Sequence, residues 1–329
     1  MTIKLITSFV LAFLFATAFG KYYIPWLRAQ KAGQEIKGQV EWHKSKSGTP
    51  TMGGVMFILA VTFVCLTVGF EGMLQGNFVH IFVLLFAWVF GLIGFLDDWE
   101  KLKKKQNLGL TAKMKFLLQL VAALVFVLLM REIGYVRPNL YIPFSNKVIP
   151  MPEWLYFVFA SFVIVGTVNA VNITDGIDGL ASGTSIPVCL FFVAVTMRWG
   201  QNYLELGIFA SGLVGGLMGF LVYNFNPAKC FMGDTGSLFL GGAIAAMAFA
   251  YDMPMILITL GFIFIIETLS DIIQVTYFKL THGKRIFKMT PIHHHFELCG
   301  WKEEKIVFVF TAITLVMCVL AYLGVMNRY

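Results

Sequence analysis

The chain has 329 residues, of which 58% are hydrophobic and only 13% charged, with 33 Phe and a mean hydropathy of +0.78. Soluble domains carry roughly a quarter charged residues, so this chain lacks the polar material to cover a folded surface in water and needs a lipid bilayer as solvent. Its net charge of +7 lies in short loops between apolar runs, a pattern of membrane topology that argues against a nucleic-acid partner.

Apolar runs of roughly 20 residues, enough to cross ~30 Å of hydrocarbon as helix, fall at 3–20, 52–70, 78–96, 114–130, 153–171, 184–199, 204–223, 237–251, 254–275 and 305–326. They are continuously apolar, where barrel strands would alternate. The expected fold is all-α: one integral membrane domain over 1–329, a polytopic bundle of ten transmembrane helices. Ala16-Thr17-Ala18 has the small-x-small form of a signal-peptide cleavage site, but only Lys4 precedes the first run while Lys21, Arg28, Lys31, Lys37, Lys44 and Lys46 follow it. That asymmetry predicts an uncleaved helix with its N-terminus outside.

Of the 25 Lys and Arg, 19 fall after odd-numbered spans. The loops near 21–50, 97–113, 172–183, 224–236 and 276–304 are therefore expected to face the cytoplasm, with both termini extracytoplasmic. On the outer side, Leu140 to Phe144 and Lys147 to Pro150 flank Ser145-Asn146 and predict a small β-hairpin with a two-residue turn between the fourth and fifth spans. Gly212, Gly216, Gly215 and Gly219 give overlapping GxxxG spacings, read as packing inside the bundle. Cys65, Cys189, Cys230, Cys299 and Cys318 are scattered without a CxxC pair, so neither a disulfide framework nor a zinc site is expected.

The candidate chemistry lies at the helix ends. Asp97-Asp98-Trp-Glu-Lys101 closes the third span, and adjacent carboxylates at a membrane boundary need a metal or a nearby lysine to offset their repulsion and desolvation. Asn169, Asn172, Asp175 and Asp178 recur at intervals of three with Gly176 and Gly179 between them, an acidic segment without a basic residue that suits a ligand or metal. Asn224, Phe231, Gly233, Asp234, Thr235 and Ser237 lead into the eighth span. There, Gly-flanked backbone N–H groups predict an anion site beside which Asp234 would suit Mg²⁺. Lys46 and Thr51, beside Gly48, Gly53 and Gly54, open the second span, and Lys113, at a helix start, is singled out from the lysine run as a phosphate contact. His293-His294-His295 lacks the i, i+4 spacing of a helical zinc site, and phosphate or sugar contacts by imidazole are expected there. Glu267 and Asp271, four apart, mark either function or the point where the ninth span breaks. The absence of GxxxxGK[ST] and of GxGxxG excludes ATP-driven pumping and leaves Asp-rich phosphate chemistry.

These motifs, in order from Lys46 to Trp301, resemble the polyprenyl-phosphate N-acetylhexosamine-1-phosphate transferases. Gly48-Thr-Pro-Thr-Met-Gly-Gly54 and Pro291-Ile-His-His-His-Phe-Glu297 are similar, within that superfamily, to the phospho-N-acetylmuramoyl-pentapeptide transferase family. The resemblance implies Mg²⁺-dependent transfer from UDP-N-acetylmuramoyl-pentapeptide to undecaprenyl phosphate, giving lipid I and UMP at the bacterial cytoplasmic membrane, by a homodimer. It implies Asp97, Asp98 and Asp234 as catalytic acids and metal ligands. With them go Lys113 and His293 as catalytic residues, and Lys46, Thr51, Asn169, Asn172, Asp175, Asp178, Asn224, Phe231, Gly233, His294 and His295 as substrate contacts, with Phe231 stacked on uracil. A UDP-N-acetylglucosamine transferase is the nearest alternative; a secondary transporter would show an internal repeat and midplane polar residues.

Overall fold

A computed structural model describes residues 1–30, 46, 48–104 and 109–328. Lys31, Lys37, Lys44 and Lys105 of the basic loops lie outside the described residues. The chain runs through α1 (Thr2–Ala29), α2 (Val55–Thr67), α3 (Phe70–Leu74), α4 (Val79–Lys104), α5 (Ala112–Glu132), β1 (Asn139–Ile142), β2 (Lys147–Pro150), α6 (Glu153–Thr174), α7 (Leu180–Trp199), α8 (Leu204–Asn224), α9 (Gly233–Ala250), α10 (Leu257–Leu260), α11 (Phe262–Leu280), α12 (Ile292–Glu297) and α13 (Glu303–Val325).

Every expected span is helical, but ten equal crossings do not result. Among the described residues eight helices are long and apolar enough to cross a bilayer, and α10 with α11 makes a ninth span bent by 78°. The remaining one, α2, has 13 residues, about 20 Å of helix, so the tenth crossing that places both termini on one side needs α3, two residues further on, as well. The start of α2 is shortened because Gly53 and Gly54 donate their N–H groups to the carbonyls of Phe231 and Met232. The hairpin is present, with Asn139 opposite Pro150 and Ile142 opposite Lys147, but its loop is the four residues Pro143 to Asn146. Phe144 (φ 66°) and Asn146 (φ 51°) both take the left-handed conformation there, so a two-residue turn at Ser145-Asn146 is not formed.

The core is built around α8 and α9. α9 carries Gly241, Gly242 and a run of Ala, and a Cβ at Gly241 would press on Val168 of α6 while one at Gly242 would press on Phe90 of α4. Small residues thus bring α4 and α6 against it from two sides. The overlapping glycines of α8 split between two partners: Gly215 and Gly219 lie against Phe9, Phe13 and Ala16 of α1, and Gly212 and Gly216 against Val64 and Phe57 of α2. The spacing serves packing inside the chain. Leu14, Leu117, Leu128, Phe308, Leu315 and Val319 of α1, α5 and α13 are exposed, as expected of faces solvated by lipid.

Candidate active site

The close approach of α4 to the start of α9 creates the site. A Cβ at Gly94 would collide with the carbonyl of Asp234, so the two backbones touch one turn before Asp97 and Asp98. Gly233 has φ +73°, and a Cβ there would meet Asp98, Thr51 and Met52 N, so the left-handed turn and the lack of a side chain are both needed. Buried Asp98 then accepts from Asp234 N (3.2 Å), Thr235 N (2.9 Å) and Thr235 Oγ1 (2.7 Å). This corrects the expected anion site: the free N–H groups of α9 are capped by a carboxylate from α4, which stands where a phosphate would sit.

One oxygen each of Asp97, Asp98 and Asp234 lies within 4.8 Å of the others. Lys101 Nζ bridges Asp97 Oδ2 (2.6 Å) and Asp234 Oδ2 (2.8 Å), and Lys115 Nζ reaches the same Asp234 oxygen at 2.8 Å. Asp97 Oδ1 accepts from Leu110 N at 2.8 Å. Asn172 Nδ2 donates to Asp234 Oδ1 (2.9 Å) and to Ser237 Oγ (2.8 Å). Two ammonium groups converging on one carboxylate oxygen mark where positive charge is required. Three carboxylates from two helices form a hard-oxygen donor set that fits a divalent cation such as Mg²⁺.

A second polar group adjoins the first. Lys46 Nζ pairs with Asp178 Oδ1 (2.8 Å) and Glu303 Oε2 (2.6 Å). Asp178 Oδ2 accepts from Ala228 N (2.9 Å), and Asn224 accepts from Gly179 N (3.1 Å) while donating to the carbonyl of Cys230 (3.0 Å). The segments after α6 and α8 are thereby knitted together at the foot of α13. Half-buried Asp175 lies along the chain between Asn172 of the first group and Asp178 of the second, and burial first, then the charges of Asp234, Asp98 and Asp178, hold its carboxyl well above the ordinary range. Phe231 is half-buried, its N–H donating to the carbonyl of Pro50.

Several expected residues stand elsewhere. Lys113 is exposed on the first turn of α5 and forms no ion pair among the described residues. The basic residue that reaches the acids is Lys115, because two residues along a helix turn a side chain to a different face. Asn169 gives its amide to Gln119 of α5 (2.6 Å) and to the carbonyl of Val165 (2.8 Å). The three imidazoles point three ways: His293 Nδ1 to Glu267 (2.9 Å), His294 Nδ1 to Glu297 (2.6 Å), and His295 Nδ1 accepting from Lys288 N (3.1 Å). Lys115 and Glu303 were missed, and Glu267 was left open between function and a break in its helix. For Lys115 a signal existed: it lies four residues before Gln119 on the face of α5 that continues through the buried Ala122, Ala123 and Phe126.

Comparison with known proteins agrees with this geometry. A family model described as glycosyl transferase family 4 matches residues 80–252, which contain all three carboxylates, and phospho-N-acetylmuramoyl-pentapeptide-transferase signature 1 matches residues 46–58, from Lys46 into α2. A phospho-N-acetylmuramoyl-pentapeptide-transferase of Clostridium acetobutylicum is 45% identical over 323 residues, 97% of this chain and 98% of the relative. One from Geobacillus thermodenitrificans is 43% identical over 319 residues, 96% of each chain, and one from Halalkalibacterium halodurans 45% identical over 319 residues, 96% of each. Identity at this level along almost the whole length, over a helical membrane scaffold that gathers these acids and lysines, leaves one conclusion: the chain belongs to the phospho-N-acetylmuramoyl-pentapeptide transferase family of enzymes.

Proposed function

We propose that the protein transfers phospho-N-acetylmuramoyl-pentapeptide from its UDP conjugate to undecaprenyl phosphate with the aid of Mg²⁺, releasing UMP and forming lipid I. The observation that carries this reading is the gathering of Asp97, Asp98 and Asp234 with Lys101 and Lys115 at one end of the bundle. Asp97, Asp98 and Asp234 would hold the cation, Asp234 foremost, since it already draws both lysines. Bound there, Mg²⁺ would neutralise the charge that builds on the leaving UMP.

The remaining work belongs to the protein's own groups. The second pKa of a phosphomonoester is near 6, so the acceptor is mostly dianionic at neutral pH and needs positioning more than deprotonation. Asp98, already accepting three hydrogen bonds, suits a fixed scaffold role, and Asp97 a positioning one. Lys101 and Lys115 would offset the charge of the two phosphates. Lys46, Thr51, Asn172, Asp175, Asp178, Asn224, Phe231 and Gly233 would receive the nucleotide, and His294 and His295 would contact the sugar or peptide, while His293, buried against Glu267, would not.

In the sequence, 19 of the 25 basic residues fall after odd-numbered spans, on the side of the acidic motifs, which supports a cytoplasmic site in a bacterial inner membrane, both termini outside. The resemblance supports a homodimer. The test is direct: purified protein given donor, undecaprenyl phosphate and Mg²⁺ should release UMP. Equal use of UDP-N-acetylglucosamine would move the assignment to the wider superfamily.

A further inference from the structure

Glu267 and His293 form a buried pair outside the acid cluster. Both side chains are wholly excluded from solvent, and His293 Nδ1 lies 2.9 Å from Glu267 Oε2. Their other polar atoms, Glu267 Oε1 and His293 Nε2, are buried with no hydrogen-bond partner among the described residues. Two unsatisfied polar atoms at one place cost stability, so packing alone does not account for the pair. A carboxylate accepts and does not donate, so the contact favours the Nδ1–H tautomer and fixes the ring plane.

The other edge of the ring faces the loop between α6 and α7. A Cβ on Gly176 would run into Nε2 and Cε1 of His293. Gly176 lies between Asp175, which feels the charge of Asp234, and Asp178, which holds Lys46. The strut therefore runs from Glu267 on the bent α11, through the imidazole at the start of α12, to the backbone that sets both aspartates.

We infer that Glu267 is a positioning residue of the transfer site, acting through His293 on the Asp175–Asp178 loop to set the donor nucleotide's seat. The inference rests on the function proposed above and adds that α11 governs donor binding without touching the donor. Displacing a substrate-positioning element by a fraction of an ångström to one ångström costs up to about 100-fold, and here the loss should fall on donor binding alone.

The experiment measures UMP release by the full chain with Mg²⁺, varying donor and polyprenyl phosphate separately. Glu267→Ala should raise the donor KM roughly 10- to 100-fold with the acceptor KM unchanged, and Glu267→Gln, which keeps an acceptor oxygen, should recover most of that loss. Gly176→Ala, at an exposed loop position, should reach the same phenotype from the opposite side. The double variant should be no worse than the poorer single one, since both break one strut. If Glu267→Ala does not assemble, Gly176→Ala and Glu267→Gln carry the test. A parental donor KM in Glu267→Ala or in Gly176→Ala, effects that multiply in the double variant, or a fall in kcat alone would overturn the inference while the parent still released UMP. A parent that released no UMP would overturn the proposed function and this inference with it.

Discussion

α9 joins two ends of the bundle that treat charge in opposite ways. At its start, three carboxylates crowd within 4.8 Å and share two ammonium groups. Beyond its end, Asp252 is matched by Arg328, whose Nη2 lies 2.7 Å from the carboxylate while Nη1 donates to the carbonyls of Asp252 (2.7 Å) and Tyr251 (3.2 Å). The guanidinium also lies over the ring of Tyr141, 4.1 Å from its centroid. Tyr251 stacks on Tyr203 with centroids 5.4 Å apart and is hydrogen-bonded to Thr196. One end is assembled against electrostatics and the other with it. Such a contrast places function where stability is given up.

The largest effect should come from the crowded end. Removing Mg²⁺ with a chelator should abolish turnover, and Asp234→Asn should lower kcat by roughly 10²–10³-fold or more. The fold should persist, since Lys101 keeps Asp97 as its partner, although Lys115 loses its ion pair with Asp234. Undiminished turnover of Asp234→Asn in saturating Mg²⁺ would break the comparison at its centre. Next in size is the pair of lysines on α5. Lys115→Ala should cost about one to two decades in kcat/KM, as expected for a lost charge-assisted contact of about 1.5–3 kcal/mol. Lys113→Ala, exposed and outside the cluster, should stay near the parent; equal losses would put both lysines on the substrate.

How far the sequence was legible follows the same division. Span positions are set by long apolar runs and were readable, but hydropathy records neither the break at Gly261 nor the tertiary contacts that shorten α2. The backbone ladder from Gly53-Gly54 to Phe231-Met232 is one such contact. The acids were readable because carboxylates beside glycines stand out in an apolar chain. Their cations were less so, since Lys113 and Lys115 differ only in the helix face they take, and the partners of Lys46 lie 132 and 257 residues away in sequence. The Glu267–His293 pair, 26 residues apart, joins α11 to α12, a contact that no local spacing records.

The matched end yields a smaller prediction of opposite sign. Arg328→Ala should lose about 1–3 kcal/mol of stability, seen as a lower melting temperature, because it leaves a part-buried carboxylate and two carbonyls without their donor. Turnover in the surviving protein should stay near the parent, since distant sites with no shared partners act independently. A strong fall in kcat without thermal loss would mean that this end is also functional.

The last prediction changes neither activity nor stability and asks which end faces the cytoplasm. Among the five cysteines, Cys65, Cys189, Cys230 and Cys318 are buried and Cys299, just past α12, is exposed. The native chain therefore carries its own reporter on the side of the acid cluster, four residues beyond His295. A membrane-impermeant thiol reagent should label Cys299 in inside-out vesicles and leave it unmodified in intact cells, with Cys299→Ser abolishing the signal. Labelling from outside would invert the topology drawn from the basic residues. It would also place a site built for a nucleotide donor on the wrong side of the membrane, so the proposed reaction stands or falls with the sidedness of one thiol.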